Sequence, residues 1–159
     1  MTQDEVIEYV TSELEGTLVV VASEESGAPA VAWGDTFFFY DPDGITLPEK
    51  RFPYATIVVS DYPGFDEASN LKRPGVYRVN TWVSRDTYER QTSADDVSAI
   101  DYAVLDKVIP HPVYASQSWL GVLNPGIVTE STVKDLLAEA HRRARNRYEK
   151  QRTRPSDSA

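Results

Sequence analysis

The chain has 159 residues, no cysteine and a formal net charge of −9. This length suits one domain with its own core, and the hydrophobic content of 41% and charged content of 26% are ordinary for a globular protein. The missing cysteines exclude disulfides, thiolate nucleophiles and Cys-ligated metals. No apolar run approaches the ~18 residues of a membrane helix, and the acidic N-terminus is unlike a signal peptide. The sequence therefore predicts a cytoplasmic protein without a membrane partner.

The acidic charge lies in the body of the chain. Residues 141–159 hold seven Lys or Arg against two acidic residues, whereas residues 1–140 hold nine basic and 23 acidic groups. An acidic body repels phosphate backbones, so nucleic acid is not expected as a partner. The basic segment is either a nucleic-acid arm or, as we favour, the solvated end of a helix.

Periodicity predicts a helix, then three strands, in the first 60 residues. The helix spans Thr2–Glu15, where Thr2 and Glu5 can form a capping box. The strands are Leu18–Ala22, Thr36–Tyr40 and Tyr54–Ser60. Four of the five residues in Thr36–Tyr40 are aromatic, so we expect a central strand that is covered on both faces.

A long loop and a further strand follow. Asp61–Pro74 has no periodicity and carries Tyr62, so it is either a lid or pocket wall or a segment packed locally on the sheet. In the strand Gly75–Val83 one face is more apolar than the other. Arg78 and Asn80 lie on the less apolar face, where a solvent-facing position is slightly favoured over a pocket-lining one.

Three helices, an extended segment and one strand are predicted in the second half of the chain. Expected elements are a helix at Ser84–Gln91, a helix at Asp101–Ile109, a rigid extended segment at His111–Tyr114, a strand at Ser118–Leu123 and a long helix at Thr129–Tyr148. The order predicts an α+β class: a two-layer protein in which an antiparallel sheet of about five to six strands is packed by the N-terminal and C-terminal helices. We expect one domain over residues 1–150 and a disordered tail over 151–159.

Three groups of motifs carry a resemblance. They are W-G-D-T-F-F-F-Y-D-P at 33–42, R-P-G-V-Y-R-V-N at 73–80, and H-P-V-Y at 111–114 with Q-S-W-L-G-V-L-N-P at 117–125. Over about residues 3–147 the chain resembles a small bacterial family catalogued as a domain of unknown function. More distantly, it is similar to the MmcQ/YjbR-like proteins, which implies a two-layer α+β fold. That group is often labelled DNA-binding, and the acidic body argues against the label. Some of its members lie among natural-product biosynthesis and resistance proteins, which implies a small organic ligand.

Few side chains can carry acid–base chemistry. Of the two histidines, His141 lies in the Arg-rich final helix and is expected at the surface. His111 lies between two prolines and is either a structural residue or the general acid or base. The chain has no metal-binding constellation, no phosphate loop and no nucleophile elbow, so we expect no metal and no cofactor.

Candidate site residues follow from this inventory. His111, Tyr114 and Asp35 are the catalytic candidates, although Asp35 fits a capping role equally well. The candidate substrate-binding residues are Trp33, Tyr40, Tyr62, Arg78, Asn80, Trp82 and Trp119. For Tyr40, Asn80, Trp82 and Trp119, plain core packing is favoured over a position in a cavity wall.

Two functions remain open. The one that we favour narrowly is a cofactor-independent tailoring enzyme of natural-product (polyketide-like) biosynthesis that catalyses dehydration, cyclisation or conjugate addition. The alternative is a non-catalytic small-molecule-binding or resistance module. In either case we expect a monomer or homodimer, and an enzyme requires His111 to face an aromatic cavity with Asp35 or a tyrosine in hydrogen-bond reach.

Overall fold

The computed structural model describes residues 1–153 and confirms the α+β class. The helices are α1 (Gln3–Glu13), α2 (Arg85–Thr92) and α3 (Glu130–Thr153), and the strands are β1 (Thr17–Val21), β2 (Thr36–Tyr40), β3 (Pro53–Val58), β4 (Arg78–Trp82), β5 (Val108–Pro110) and β6 (Trp119–Leu123). The predicted capping box at Thr2 and Glu5 is present. Helix α3 takes in the first three residues of the predicted disordered tail, and the rest of that tail lies outside the described residues.

The strands form one antiparallel sheet in the order β1-β2-β3-β4-β6-β5. Helices α1 and α3 pack on one face, which we call the helix face. The core there is made of buried side chains from both layers, among them Val6, Val10, Phe38, Ile57, Val79, Val122, Val133 and Leu137. Because alternate residues of a strand point to opposite faces, Arg78 and Asn80 of β4 are directed away from this core.

Strand β2 is less central than the sequence suggests. It is the second strand from the edge, and only its helix face is covered by helices, where Phe38 is fully buried. On the other face Phe37 and Phe39 stack at 6.4 Å between ring centroids and remain partly exposed. The expectation of coverage on both faces is therefore wrong, because no helix formed by residues 1–153 lies over the second face of β2.

The expected surface position of His141 is also wrong. Its side chain is buried on the helix face, between the rings of Tyr40 and Tyr54 at 5.4 and 5.7 Å. Its Nε2 lies 2.7 Å from the carbonyl oxygen of Glu15, which can only accept, so the imidazole donates there. Because polar residues surround His141 in α3, the sequence pattern did not indicate its inward position.

The predicted helix at Asp101–Ile109 is wrong as well. Asp101 accepts from the amide of Ala103 in a turn, and the chain then enters β5. Asp106 adopts a positive φ of 53°, which interrupts any helix, and its carboxylate accepts from the amides of Gly126, Val128 and Thr129, just before α3. The apolar spacing that resembled a helix arises from a loop packed on the sheet, with Ile109 in the core.

Loops cover only part of the sheet face opposite the helices. Leu71, Ile109 and Leu123 form a small buried cluster there, packed by neighbouring loop residues. The part of this face over β2, β3 and β4 is left open to a cavity. We call it the open face, and it carries the candidate site.

Candidate functional site

The candidate site is a cavity of about 380 Å³ on the open face. Its lining is mostly apolar and aromatic: Phe37, Phe52, Pro53, Thr56, Val58, Tyr62, Phe65, Asp66, Asn80, His111, Tyr114, Gln117 and Trp119. The sheet register places Phe37, Thr56 and Asn80 side by side across three strands. Cavities of this size with few polar groups are typical of small-molecule sites.

A polar cluster lies at the base of this cavity and is organised around Arg78, which has no exposed surface. The guanidinium donates to both carboxylate oxygens of Asp66 at 3.1 and 2.6 Å, to Ser69 Oγ at 2.9 Å and, through Nε, to Asn80 Oδ1 at 2.7 Å. Its Nη2 also lies 3.4 Å from His111 Nε2. We call these five residues the Arg78 cluster. Its one full positive charge is balanced by one carboxylate.

Gly121 makes room for this cluster. It lies opposite Asn80 in the β4–β6 pair. A Cβ at this position would lie 3.0 Å from Arg78 Cδ and 3.2 Å from Asn80 Oδ1. The side chain of Arg78 can therefore run over β6 on the open face only because Gly121 has no side chain.

The protonation of His111 follows from its contacts. The segment His111–Tyr114 forms a turn, where the sequence predicts an extended conformation. In this turn Nδ1 accepts from the amides of Val113 and Tyr114, both at 3.0 Å. A nitrogen that accepts carries no proton, so the neutral ring bears its proton on Nε2. The opposite tautomer would face two N–H groups at 3.0 Å to gain one contact with Arg78 at 3.4 Å.

The electrostatics agree with a neutral His111. Burial, followed by the charge of Arg78, lowers the pKa of His111 to about 3, although Asp66 acts in the opposite direction. At neutral pH the imidazole is therefore a hydrogen-bond donor through Nε2. Nδ1 is engaged by two amides and Nε2 is already protonated, so the ring has no free lone pair with which to act as a base.

Asp35 lies beneath Tyr62 and is fully buried. Its carboxylate accepts from the Val59 amide at 2.9 Å and from the Tyr62 hydroxyl at 2.5 Å. Burial raises the pKa of Asp35 while these two hydrogen bonds oppose the rise, and burial together with the same hydrogen bond raises the pKa of Tyr62. Asp35 therefore fixes a wall residue of the cavity and is not a hydrogen-bond partner of His111.

Tyr114 and Phe65 form the outer wall. Their rings pack at 6.1 Å, and Tyr114 also lies 5.0 Å from the His111 ring. Trp119 completes this side, 6.3 Å from His111. Both side chains line the cavity, and within residues 1–153 neither the hydroxyl of Tyr114 nor the indole N–H of Trp119 makes a hydrogen bond, so both can contact a bound molecule.

The structure brings together most of the residues that the sequence singled out. His111, Tyr114, Tyr62, Asn80 and Trp119 line the cavity. The slight preference for solvent-facing Arg78 and Asn80 is wrong, because both are buried on the open face.

Three candidates lie elsewhere. Trp33 is 43% exposed and donates its indole N–H to the Ala28 carbonyl. Tyr40 packs on the helix face. Trp82 lies behind Phe52, with ring centroids 5.4 Å apart, and is not part of the cavity lining.

Sequence reasoning missed Asp66, Ser69 and Gly121. Asp66 and Ser69 lie in the long loop, where nothing in the spacing relates them to β4. The available signal was an arginine in a strand whose other residues are typical of a sheet interior. Such a residue needs a buried partner, and a glycine in a facing strand is the natural place for its side chain to cross.

The arginines of α3 are largely engaged within the protein. Arg143 lies 3.8 Å over the ring of Trp82 and Arg147 4.7 Å over that of Phe52. Arg152 pairs with Asp43. These contacts give the basic segment a role in packing α3 over the edge of the sheet.

Within residues 1–153 no three His, Cys, Asp or Glu side chains cluster in a way that could hold a metal ion. Across the same residues, none of the helices has the length and apolar character needed to cross a membrane.

Comparison with known proteins gives one match. A family model described as "Family of unknown function (DUF6194)" matches residues 1–153. This confirms the resemblance to a family of unknown function that the motifs indicated. No curated protein and no solved structure matches the chain.

Proposed function

Since the chain belongs to this family of unknown function, we propose its function from the cavity: it binds a planar, largely apolar small molecule. The observation that carries the proposal is that the cavity combines aromatic walls with hydrogen-bonding groups at its bottom. Phe37, Phe52 and Phe65 offer flat apolar surface, and Thr56 and Asn80 offer polar groups at the bottom of the cavity. Burying an apolar ligand against such walls contributes about 25 cal/mol per Å².

Binding is favoured over acid–base catalysis because each candidate base is engaged. Nδ1 of His111 accepts from two amides. Asp66 is paired with Arg78, and Asp35 accepts from Tyr62 and Val59. A tailoring enzyme that dehydrates or cyclises its substrate needs one free base near the substrate. The small-molecule-binding or resistance module is thus the better supported of the two hypotheses, and the polyketide-like ligand class rests only on the distant family resemblance.

The remaining partner expectations are proposals of the same kind. The engagement of Arg143 and Arg147 with aromatic rings supports the expectation that α3 does not bind nucleic acid. The cavity lies within one chain, so a monomer suffices for binding and a homodimer is compatible with it.

A neutral solvatochromic dye tests the proposal. N-phenyl-1-naphthylamine should gain fluorescence on titration and saturate at one dye per chain. Phe65→Ala should weaken binding several-fold, because Phe65 forms part of the wall. Ile127→Ala is the matched control, since Ile127 is 100% exposed and is not in the cavity lining. Absence of saturable binding, or equal loss in both variants, would contradict the proposal.

A further inference from the structure

Beyond the apolar walls, the Arg78 cluster contains a donor that lacks an acceptor. His111 is only 4% exposed, and its proton is on Nε2 because Nδ1 is held by two amides. The polar atom next to Nε2 is Nη2 of Arg78, which can only donate. Among residues 1–153, no oxygen accepts a hydrogen bond from Nε2, and its one polar contact is with Nη2 of Arg78. A buried donor without an acceptor costs about 1–3 kcal/mol, so a ligand that supplies one gains affinity.

The position of this donor relates it to the cavity. His111 belongs to the lining, and its Nδ1 edge faces the turn formed by its own segment. The Nε2 edge therefore faces away from that turn, toward the base of the cavity, where Arg78 and Asn80 lie. Arg78 itself has no exposed surface and is not part of the lining, whereas His111 is, so His111 is the residue of this pair that a bound molecule contacts.

The charge balance decides which acceptor is suitable. Arg78 is paired with Asp66 through two hydrogen bonds, and His111 is neutral. Asp35, held by Tyr62, adds a second carboxyl group nearby. No net positive charge is left to compensate a buried anion, and an uncompensated charge is costly to transfer from water. A neutral acceptor, in contrast, pays only a small desolvation cost.

We infer that this site selects ligands with a neutral carbonyl oxygen, such as an aryl ketone, amide or quinone, which accepts from His111 Nε2–H. The inference rests on the proposed function and adds the chemical class of the ligand. It differs from the sequence-based hypothesis, because His111 serves as a fixed donor and not as a base.

Three naphthalene probes of similar shape test the inference. They are 2-acetonaphthone, which carries a ketone, 2-isopropenylnaphthalene, in which a methylene replaces the oxygen, and 2-naphthoate, which is anionic. Each probe is titrated against the complex of N-phenyl-1-naphthylamine with the wild-type protein and with two variants, and its affinity is measured from the loss of dye fluorescence. In His111→Asn the side-chain oxygen can still accept from the turn amides, but the Nε2 donor is gone. Phe65→Leu is the matched control, since it trims apolar wall.

The expected result is specific to one ligand. His111→Asn should weaken the ketone by about 3- to 10-fold and leave the hydrocarbon unchanged, the span expected for one lost hydrogen bond. Phe65→Leu should weaken both by similar factors, and 2-naphthoate should bind less tightly than the ketone to the wild type. Equal effects of His111→Asn on ketone and hydrocarbon, or preference for the carboxylate, would overturn the inference while leaving the proposed function intact. If no probe and no dye binds, both fail.

A second measurement does not depend on a variant. Long-range proton–nitrogen correlation spectra of the wild-type protein report which ring nitrogen of His111 carries the proton. We expect an unprotonated Nδ1 and a protonated Nε2 at pH 7.5, both unchanged at pH 5. A proton on Nδ1, or an imidazolium at pH 5, would overturn the inference.

Discussion

Acid should destabilise the protein through His111. The pKa of this residue falls from 6.5 to about 3 on folding, mainly because of burial and secondly because of Arg78. At pH 8 the imidazole is neutral in both the folded and the unfolded chain. Below pH 6.5 the unfolded chain takes up a proton that the folded chain takes up only near pH 3. The free energy of unfolding must therefore decrease as the pH falls from about 6.5 to about 3.

The magnitude follows from the same two values. At pH 5 the solution is about 1.5 pH units below the pKa of the unfolded imidazole. Each of these units stabilises the protonated unfolded chain by about 1.36 kcal/mol. His111 thus accounts for about 2 kcal/mol of lost stability at pH 5 relative to pH 8. That is a large share of the 5–15 kcal/mol that holds a typical domain folded.

Urea unfolding of the wild type and His111→Asn at pH 8, 7, 6 and 5 measures this contribution. The variant has no imidazole at position 111. Between pH 8 and pH 5 its free energy of unfolding should therefore fall by about 2 kcal/mol less than that of the wild type. Asp35, whose raised pKa acts in the opposite direction, is present in both proteins and cancels in the difference. Parallel pH profiles would refute the reasoning, because they would mean that His111 titrates alike in the folded and unfolded chains.

Two further substitutions test the packing around the site. Gly121→Ala should lower the free energy of unfolding, measured in urea, by about 1–3 kcal/mol, because the new Cβ would lie 3.0 Å from Arg78 and 3.2 Å from Asn80. An unchanged unfolding midpoint would mean that the guanidinium can move aside at no cost. Tyr62→Phe should lower the free energy of unfolding by about 1–3 kcal/mol, because Oδ2 of buried Asp35 loses its donor while Oδ1 keeps the Val59 amide. The substitution should also raise the pKa of Asp35 further, so that the loss shrinks at acidic pH; a constant loss between pH 8 and pH 5 would contradict this assignment.

The fold was predictable where local signals and tertiary environment agree. The capping box at Thr2, the aromatic strand Thr36–Tyr40 and the serine cap of α2 all combine a local signal with a matching position in the fold. The segment Asp101–Ile109 misled because a loop packed on a sheet can place apolar residues at helical spacing. Only the long-range contacts of Asp106 with the start of α3 distinguish the two.

The sequence identified several residues of the site, but it did not predict how they are arranged. His111, Tyr114 and Asn80 were identified because their types suit a cavity, and they do line one. The partners Asp66 and Ser69 come from a loop 9 to 12 residues before Arg78, and no periodicity relates a loop to a strand. For the same reason the tautomer of His111 was beyond sequence, since it depends on two amides in a turn.

We expect the Arg78–Asp66 pair to serve the cavity more than it serves folding. A buried ion pair contributes little net stability, because the desolvation of both charges offsets their attraction. On the same sheet face, Leu71 and Leu123 belong to an apolar cluster under the loops, so apolar packing is possible there. Arg78→Met alone should cost about 3–5 kcal/mol, because Asp66 is then buried without its partner.

Replacing both residues distinguishes the two roles. Arg78→Met combined with Asp66→Leu should restore most of the stability lost in Arg78→Met, because no uncompensated charge remains. The same double variant should bind 2-acetonaphthone less selectively, since His111 loses its contact with Arg78, whose positive charge lowers the pKa of the imidazole. Urea unfolding and dye displacement on the same samples measure both effects. A double variant as unstable as Arg78→Met alone would show that the pair is a requirement of the fold, and the cavity would then be a consequence of the pair and not the reason for it.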